Sequence, residues 1–170
     1  MKKIITAISF LLTISTLFAQ ENDYFGSVII PKNEYLVKAK GSDLYWSFTN
    51  KEGETVLVTP ASNETSCKLM FIPAGNGYYF IKSLQKGHYL NADNLAENTS
   101  INTKSPQRTD NQKFKVINID DNHYKFITVN NLSINCNSNN KEIQLKKDNG
   151  SDSQKFEIIE AATKKKLAGN

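Results

Sequence analysis

One spacing recurs three times along the chain without drift. A β-branched residue, Val56, Ile101 or Ile143, stands thirteen positions before an apolar anchor, Leu69, Phe114 or Phe156. The anchors sit in related surroundings: Asn111-Gln112-Lys113-Phe114-Lys115-Val116-Ile117 returns as Ser153-Gln154-Lys155-Phe156-Glu157-Ile158-Ile159. A degraded copy, Ser66-Cys67-Lys68-Leu69-Met70-Phe71-Ile72, precedes both. Successive anchors are 45 and 42 residues apart, so the chain divides into three units of a little over forty residues. Repetition at such a period governs the fold, because one unit alone cannot bury its apolar face and must close against its copies.

Each unit carries four short strand signals, built from period-2 alternation and bounded by Asn, Asp, Gly and Ser turns. The first has Val28-Ile29-Ile30 and Tyr35-Leu36-Val37, then Leu44-Tyr45-Trp46-Ser47-Phe48 and Thr55 to Val58. The second has Tyr78-Tyr79-Phe80-Ile81, His88-Tyr89-Leu90-Asn91, Ile101 to Thr103 and the Phe114 strand. The third has Tyr124-Lys125-Phe126-Ile127, Leu132-Ser133-Ile134-Asn135, Ile143-Gln144-Leu145 and the Phe156 strand. Before residue 160 no apolar pattern holds helical spacing over three turns. Three quartets of this length predict an all-β fold, a β-trefoil with pseudo-threefold symmetry; a propeller is the weaker rival because blades number at least four.

At 170 residues, 39 % hydrophobic and 22 % charged, the chain is long enough for one packed domain, here expected over 20–160 with repeats at about 27–74, 75–120 and 121–160. Residues 1–19 read as a signal peptide: Lys2-Lys3, an apolar run too short for a membrane helix, and Leu17-Phe18-Ala19 before Gln20. The expected product is secreted or periplasmic. Without Lys2 and Lys3 the formal charge of +4 falls to +2, and without Lys164, Lys165 and Lys166 it falls to −1. A nearly neutral fold argues against nucleic acid, and the lysines read as a disordered basic tail over 161–170. Cys67 and Cys136 could form a disulfide or remain two buried thiols. With His88 and His123 they are too scattered for a metal site. Matches to the N-glycosylation pattern, such as those at Asn63, Asn98 and Asn131, read as chance in an Asn- and Thr-rich chain.

The pattern Tyr-x-Leu-Asn, polar loop, Ile-x-x-x, then Asn-Gln-x-Phe resembles the ricin B-type lectin repeat, whose signature ends in Gln-x-Trp. Phe114 and Phe156 stand where that family has Trp, and the first unit keeps only the apolar pattern, with Cys67 and Leu69 at the Gln and Trp positions. The resemblance implies a β-trefoil that binds glycans. Carried over residue by residue, it implies carbohydrate-binding positions at Asn91, Asn102, Lys104, Asn111 and Gln112 in the second repeat, and at Asn135, Gln144, Lys146 and Gln154, with Ser153, in the third. Ser47, Leu57 and Thr59 leave the first repeat without a site. The family's acidic residue has become Asn91 and Asn135, and its stacking aromatic Lys104 and Lys146. Asp93 could restore the charge and Tyr89 a displaced platform. Trp46 reads either as a surface platform or as a core plug. The repeated Gln also has a purely structural reading, as a buried partner for loop backbone.

No nucleophile elbow, zinc-protease helix or phosphate loop occurs, so no enzyme and no cofactor is expected. The partner expected is a glycan or polysaccharide, taken by a domain that acts as a monomer and does not insert into a membrane. The alternative is a protein partner, met by the loops at 93–99 and 137–142.

Overall fold

The computed structural model describes residues 29, 32–49, 51–60, 65–137 and 141–168. The expected signal peptide, and Val28 and Ile30 of the first expected strand, lie outside the described residues. Twelve strands are found among those described: β1 (Tyr35–Ala39), β2 (Tyr45–Ser47), β3 (Leu57–Thr59), β4 (Leu69–Gly75), β5 (Tyr78–Ser83), β6 (Tyr89–Ala92), β7 (Ile101–Lys104), β8 (Phe114–Asp120), β9 (His123–Thr128), β10 (Leu132–Asn137), β11 (Glu142–Lys147) and β12 (Phe156–Glu160).

The first unit's quartet is β1 to β4, running from Tyr35 to the Leu69 strand rather than from Val28 to Val58 as expected, and the first and fourth strands of each unit close a barrel. Antiparallel pairs run β1–β4, β4–β5, β5–β8, β8–β9, β9–β12 and β12–β1, so the ring has no free edge. The middle strands form the hairpins β2–β3, β6–β7 and β10–β11. Those hairpins interlock in a cycle, through Thr55 with Asn102, Ser100 with Gln144, and Glu142 with Leu57. Every link joins equivalent positions of consecutive units, which makes the fold a β-trefoil.

The repeated anchors occupy one environment three times. Leu69, Phe114 and Phe156 are fully buried, each begins its unit's fourth strand, and each follows a single turn of 3-10 helix. In the barrel Leu69 lies opposite Tyr35, Phe114 opposite Tyr79 and Phe156 opposite Tyr124. The tyrosine of every pair is buried as well. Emptying one anchor site by a Phe→Ala change costs about 3–5 kcal/mol. The β-branched residues thirteen places upstream, Val56, Ile101 and Ile143, are equally buried in the same core.

Trp46 belongs to that core. It is fully buried, with its ring centroid 4.8 Å from Phe126 and 5.2 Å from Phe156. The surface-platform alternative is therefore wrong for Trp46: on β2 it shares the inward side with Phe48, while Tyr45 and Ser47 are half-exposed. Cys67 and Cys136 are free buried thiols. Cys67 packs with Leu36, Ile159 and Ala161, whereas Cys136 joins the main core.

The expected disordered tail also differs. Residues 161–168 turn back onto β12: the Leu167 N–H donates to Ile158 O at 2.8 Å, and Lys166 pairs with Ile159. Two side chains explain the return. Leu167 packs on the core, and Lys166 Nζ reaches the largely buried Glu157 carboxylate at 2.6 Å.

Candidate functional site

The β6–β7 hairpin aligns Asn91 directly with Asn102 and Tyr89 with Lys104. Asn91 and Asn102 are both buried. Where β6 ends, Asp93 turns back over them with its side chain 47 % exposed, so a carboxylate anchored below remains open to solvent. Asn91 Nδ2 donates to Asp93 Oδ1 at 3.0 Å and to Asn102 Oδ1 at 2.9 Å. Asn102 Nδ2 donates to Asp93 Oδ2 at 2.8 Å. Lys104 Nζ forms an ion pair with Asp93 Oδ1. From the 3-10 turn before β8, Asn111 Nδ2 donates to the Asp93 carbonyl at 3.1 Å.

Thus five residues expected from the sequence converge, with Asp93 at their centre. Lys104, foremost, holds the Asp93 carboxyl below its ordinary range; burial opposes this, and the Asn102 and Asn91 amides add to it. The arrangement presents a fixed acceptor beside a fixed ammonium donor, a pair able to take adjacent hydroxyls from one face.

Gln112 has another role. It is fully buried, its Oε1 accepts from the Gln107 and Arg108 N–H groups at 2.9 Å each, and its Nε2 donates to Ser105 O at 3.1 Å. Gln154 repeats this, accepting from Asn149 N–H at 2.9 Å and donating to Lys147 O at 2.7 Å. Both glutamines hold the loop entering the fourth strand and present no free amide to a ligand. Tyr89 offers no platform either: it is buried and stacks on Phe80 at 5.5 Å.

In the third repeat, β10 and β11 align Asn135 with Gln144, both half-buried. The Ser153 hydroxyl donates to Asn135 Oδ1 at 2.8 Å. Lys146 does not join this group; its ammonium donates to the side-chain oxygen of Asn98 in the second repeat's loop. That loop is held against β11, since Asn98 N–H donates to Leu145 O and Leu145 N–H to Thr99 O, both at 2.8 Å. Asn98 is the residue sequence reasoning missed, and its place in the polar loop between β6 and β7 gave no signal of where it lands. In the first repeat Leu57 is 42 % exposed at the position of Asn102 and Gln144, which leaves no amide there.

Among the described residues no group of three or more His, Cys, Asp or Glu could hold a metal ion, and no helix is long and apolar enough to cross a membrane.

The closed barrel and its three hairpins define a β-trefoil, and part of the chain is similar to the ricin B-type lectins. A family model described as the ricin-type beta-trefoil lectin domain-like matches residues 68–134, which include the whole second-repeat site. Among solved structures, the designed three-fold symmetric protein ThreeFoil is 18 % identical with a TM-score of 0.70, over 75 % of this chain and 98 % of that one. The Macrolepiota procera ricin B-like lectin, solved in complex with lactose, is 12 % identical with a TM-score of 0.64, over 78 % and 98 %. The exo-beta-1,3-galactanase 1,3Gal43A from Clostridium thermocellum is 17 % identical with a TM-score of 0.72, over 78 % of this chain and 31 % of that one. This chain spans between 18 % and 32 % of three of the longer proteins in which the fold is found. No curated protein matches it.

Proposed function

We propose that this is a secreted, non-enzymatic carbohydrate-binding domain whose principal site is the second-repeat hairpin, with a second shallow site in the third repeat. The observation that carries the reading is Asp93: a half-exposed carboxylate fixed from below by Asn91 and Asn102 and flanked by Lys104. Carboxylate, amide and ammonium groups held rigidly at a surface match the donor and acceptor pairs of a saccharide edge at low entropic cost. Hydrolysis with two carboxylates would need a second acid across the bond. Asp93 is instead matched to a lysine and two amides, a set suited to holding a sugar rather than cleaving it.

The basic and apolar segment at 1–19 supports export, where a monomeric domain would meet glycans. N-terminal sequencing of the exported protein is expected to begin at Gln20.

The test is a glycan array read with the wild type and with Asn91→Ala, Asp93→Asn and Asn135→Ala. Loss of the main signal in Asn91→Ala and Asp93→Asn, with a smaller loss in Asn135→Ala, is expected. No bound glycan, or binding indifferent to all three changes, favours a protein partner at the loops 93–99 and 137–142.

A further inference from the structure

We infer that the two sites differ in the charge of the sugar they take: the third-repeat surface binds an acidic saccharide through Lys146, and the second-repeat hairpin a neutral one. This rests on the glycan-binding reading above and gives each site its substrate class.

Lys104 and Lys146 occupy equivalent places, each forty-two residues apart along with its neighbours Asn102 and Gln144. Their surroundings are not equivalent. Lys104 is neutralised by Asp93. The residue two places beyond Asn135, where the second repeat has Asp93, is Asn137. Lys146 consequently meets the neutral oxygen of Asn98. On the same outward side of β10–β11, at the next outward-facing register pair and not bonded to it, stand the amides of Asn135 and Gln144, with the Ser153 hydroxyl bonded to Asn135.

Among the described residues no carboxylate forms an ion pair with Lys146: Glu97, next to Asn98, is exposed and makes none with it, and the other acids near it in sequence are engaged or farther along the strand. Asp148 pairs with Lys125 at 2.6 Å, and Asp152 pairs with Lys40 and Lys155 at 2.9 Å each. Glu142 shares the outward side of β11 but lies four residues from Lys146, about 13 Å along a strand. A neutral sugar laid over Lys146 would strip water from the ammonium without supplying a counter-charge. A sugar carboxylate or sulfate supplies one and makes a charge-assisted hydrogen bond. In the second repeat the Lys104–Asp93 pair already balances, and a further anion would meet the Asp93 carboxylate.

The experiment is calorimetric titration of the full chain with lactose, sialyllactose and sulfated lactose, using the wild type, Lys146→Gln and Asp93→Asn. The wild type is expected to bind at least one acidic form about tenfold more tightly than lactose, the gain of one charge-assisted bond. That preference should shrink as salt rises, vanish in Lys146→Gln and survive in Asp93→Asn, whereas lactose binding should fall in Asp93→Asn. Gain with the sialylated form alone identifies a carboxylate as the group bound, and gain with the sulfated form alone a sulfate. Lactose binding as tightly as both acidic forms, or a preference that persists in Lys146→Gln, overturns the inference while leaving glycan binding intact. Failure of all three sugars here, together with a blank glycan array, removes the glycan reading itself.

Discussion

Asn102 Nδ2 lies 2.8 Å from Asp93 Oδ2, so a buried amide on β7 fixes the orientation of a carboxylate at the end of β6. Three donors from two strands act on that one group. They favour its charged form, and the consequence is a pH dependence with a defined sign.

The folded Asp93 carboxyl titrates below its ordinary value of 3.8, chiefly because of Lys104. A depressed folded value means that the group's contribution to stability is complete above the unfolded value and is lost as pH falls through the folded one. Asp93 is therefore expected to stay ionised throughout the neutral and mildly acidic range and to protonate only below pH 3.8. Carboxyl-carbon NMR should show a midpoint under that value in the wild type and an upward move in Lys104→Met. A wild-type midpoint at or above the ordinary value would contradict the network.

Gln112 should matter more to folding than Asn111 beside it. Replacing Gln112 by Leu leaves the Gln107 and Arg108 N–H groups and the Ser105 carbonyl without their partner. The expected loss is about 2–4 kcal/mol, read as a lower urea midpoint at unchanged slope. Asn111→Ala removes one exposed bond to Asp93 O and should cost under about 1 kcal/mol. Equal effects of the two changes would mean that the buried amide is not what holds the loop.

Trp46 is the chain's one tryptophan and is fully buried, which makes it a reporter of the core. Its emission should be blue-shifted and resistant to quenching by acrylamide until the protein unfolds. The sugar binding proposed for Asp93 should leave it nearly unchanged, because the ring is enclosed by Phe126 and Phe156. Trp46→Ala should cost about 3–5 kcal/mol, since Phe126 and Phe156 lose a ring neighbour. A strong fluorescence response to sugar, with ordinary quenching in the free protein, would place this residue at the surface.

The architecture was legible because triplication writes the same burial constraint three times: Val56, Ile101 and Ile143 repeat one offset from Leu69, Phe114 and Phe156, and chance alternation does not. The partners of those anchors were less visible, since the pairing of Tyr79 with Phe114 depends on barrel closure across the unit. In the site, Asp93 was legible from its place two residues after Asn91. The contact of Lys146 with Asn98 was not, because it joins different repeats and a polar loop's composition does not fix its path. Trp46 was ambiguous because an aromatic beside Tyr45 suits a platform and a core equally; only the register of β2 separates them. The C-terminal end differs for another reason: three consecutive lysines suggest a solvated tail, and what holds the segment, Leu167 on the core and Lys166 on Glu157, is set by tertiary packing.

That C-terminal return yields the last expectation. Ending the chain after Thr163 removes Lys166 from Glu157 and Leu167 from the core. Glu157 is 9 % exposed, so its carboxylate would lose its cation in a site poorly hydrated by solvent. Lys166 is itself half-exposed, which tempers the effect to about 1–3 kcal/mol. Two substitutions divide the loss: Lys166→Met removes the charge and Leu167→Ala removes the side-chain packing on the core, while both keep the backbone pairing with Ile159. Glu157→Gln should recover part of the stability of the truncated chain and little in the full one, the coupling that a double-mutant cycle measures. A truncated protein as stable as the full chain would show that residues 164–170 are a solvated end after all, and that β12 is complete without them.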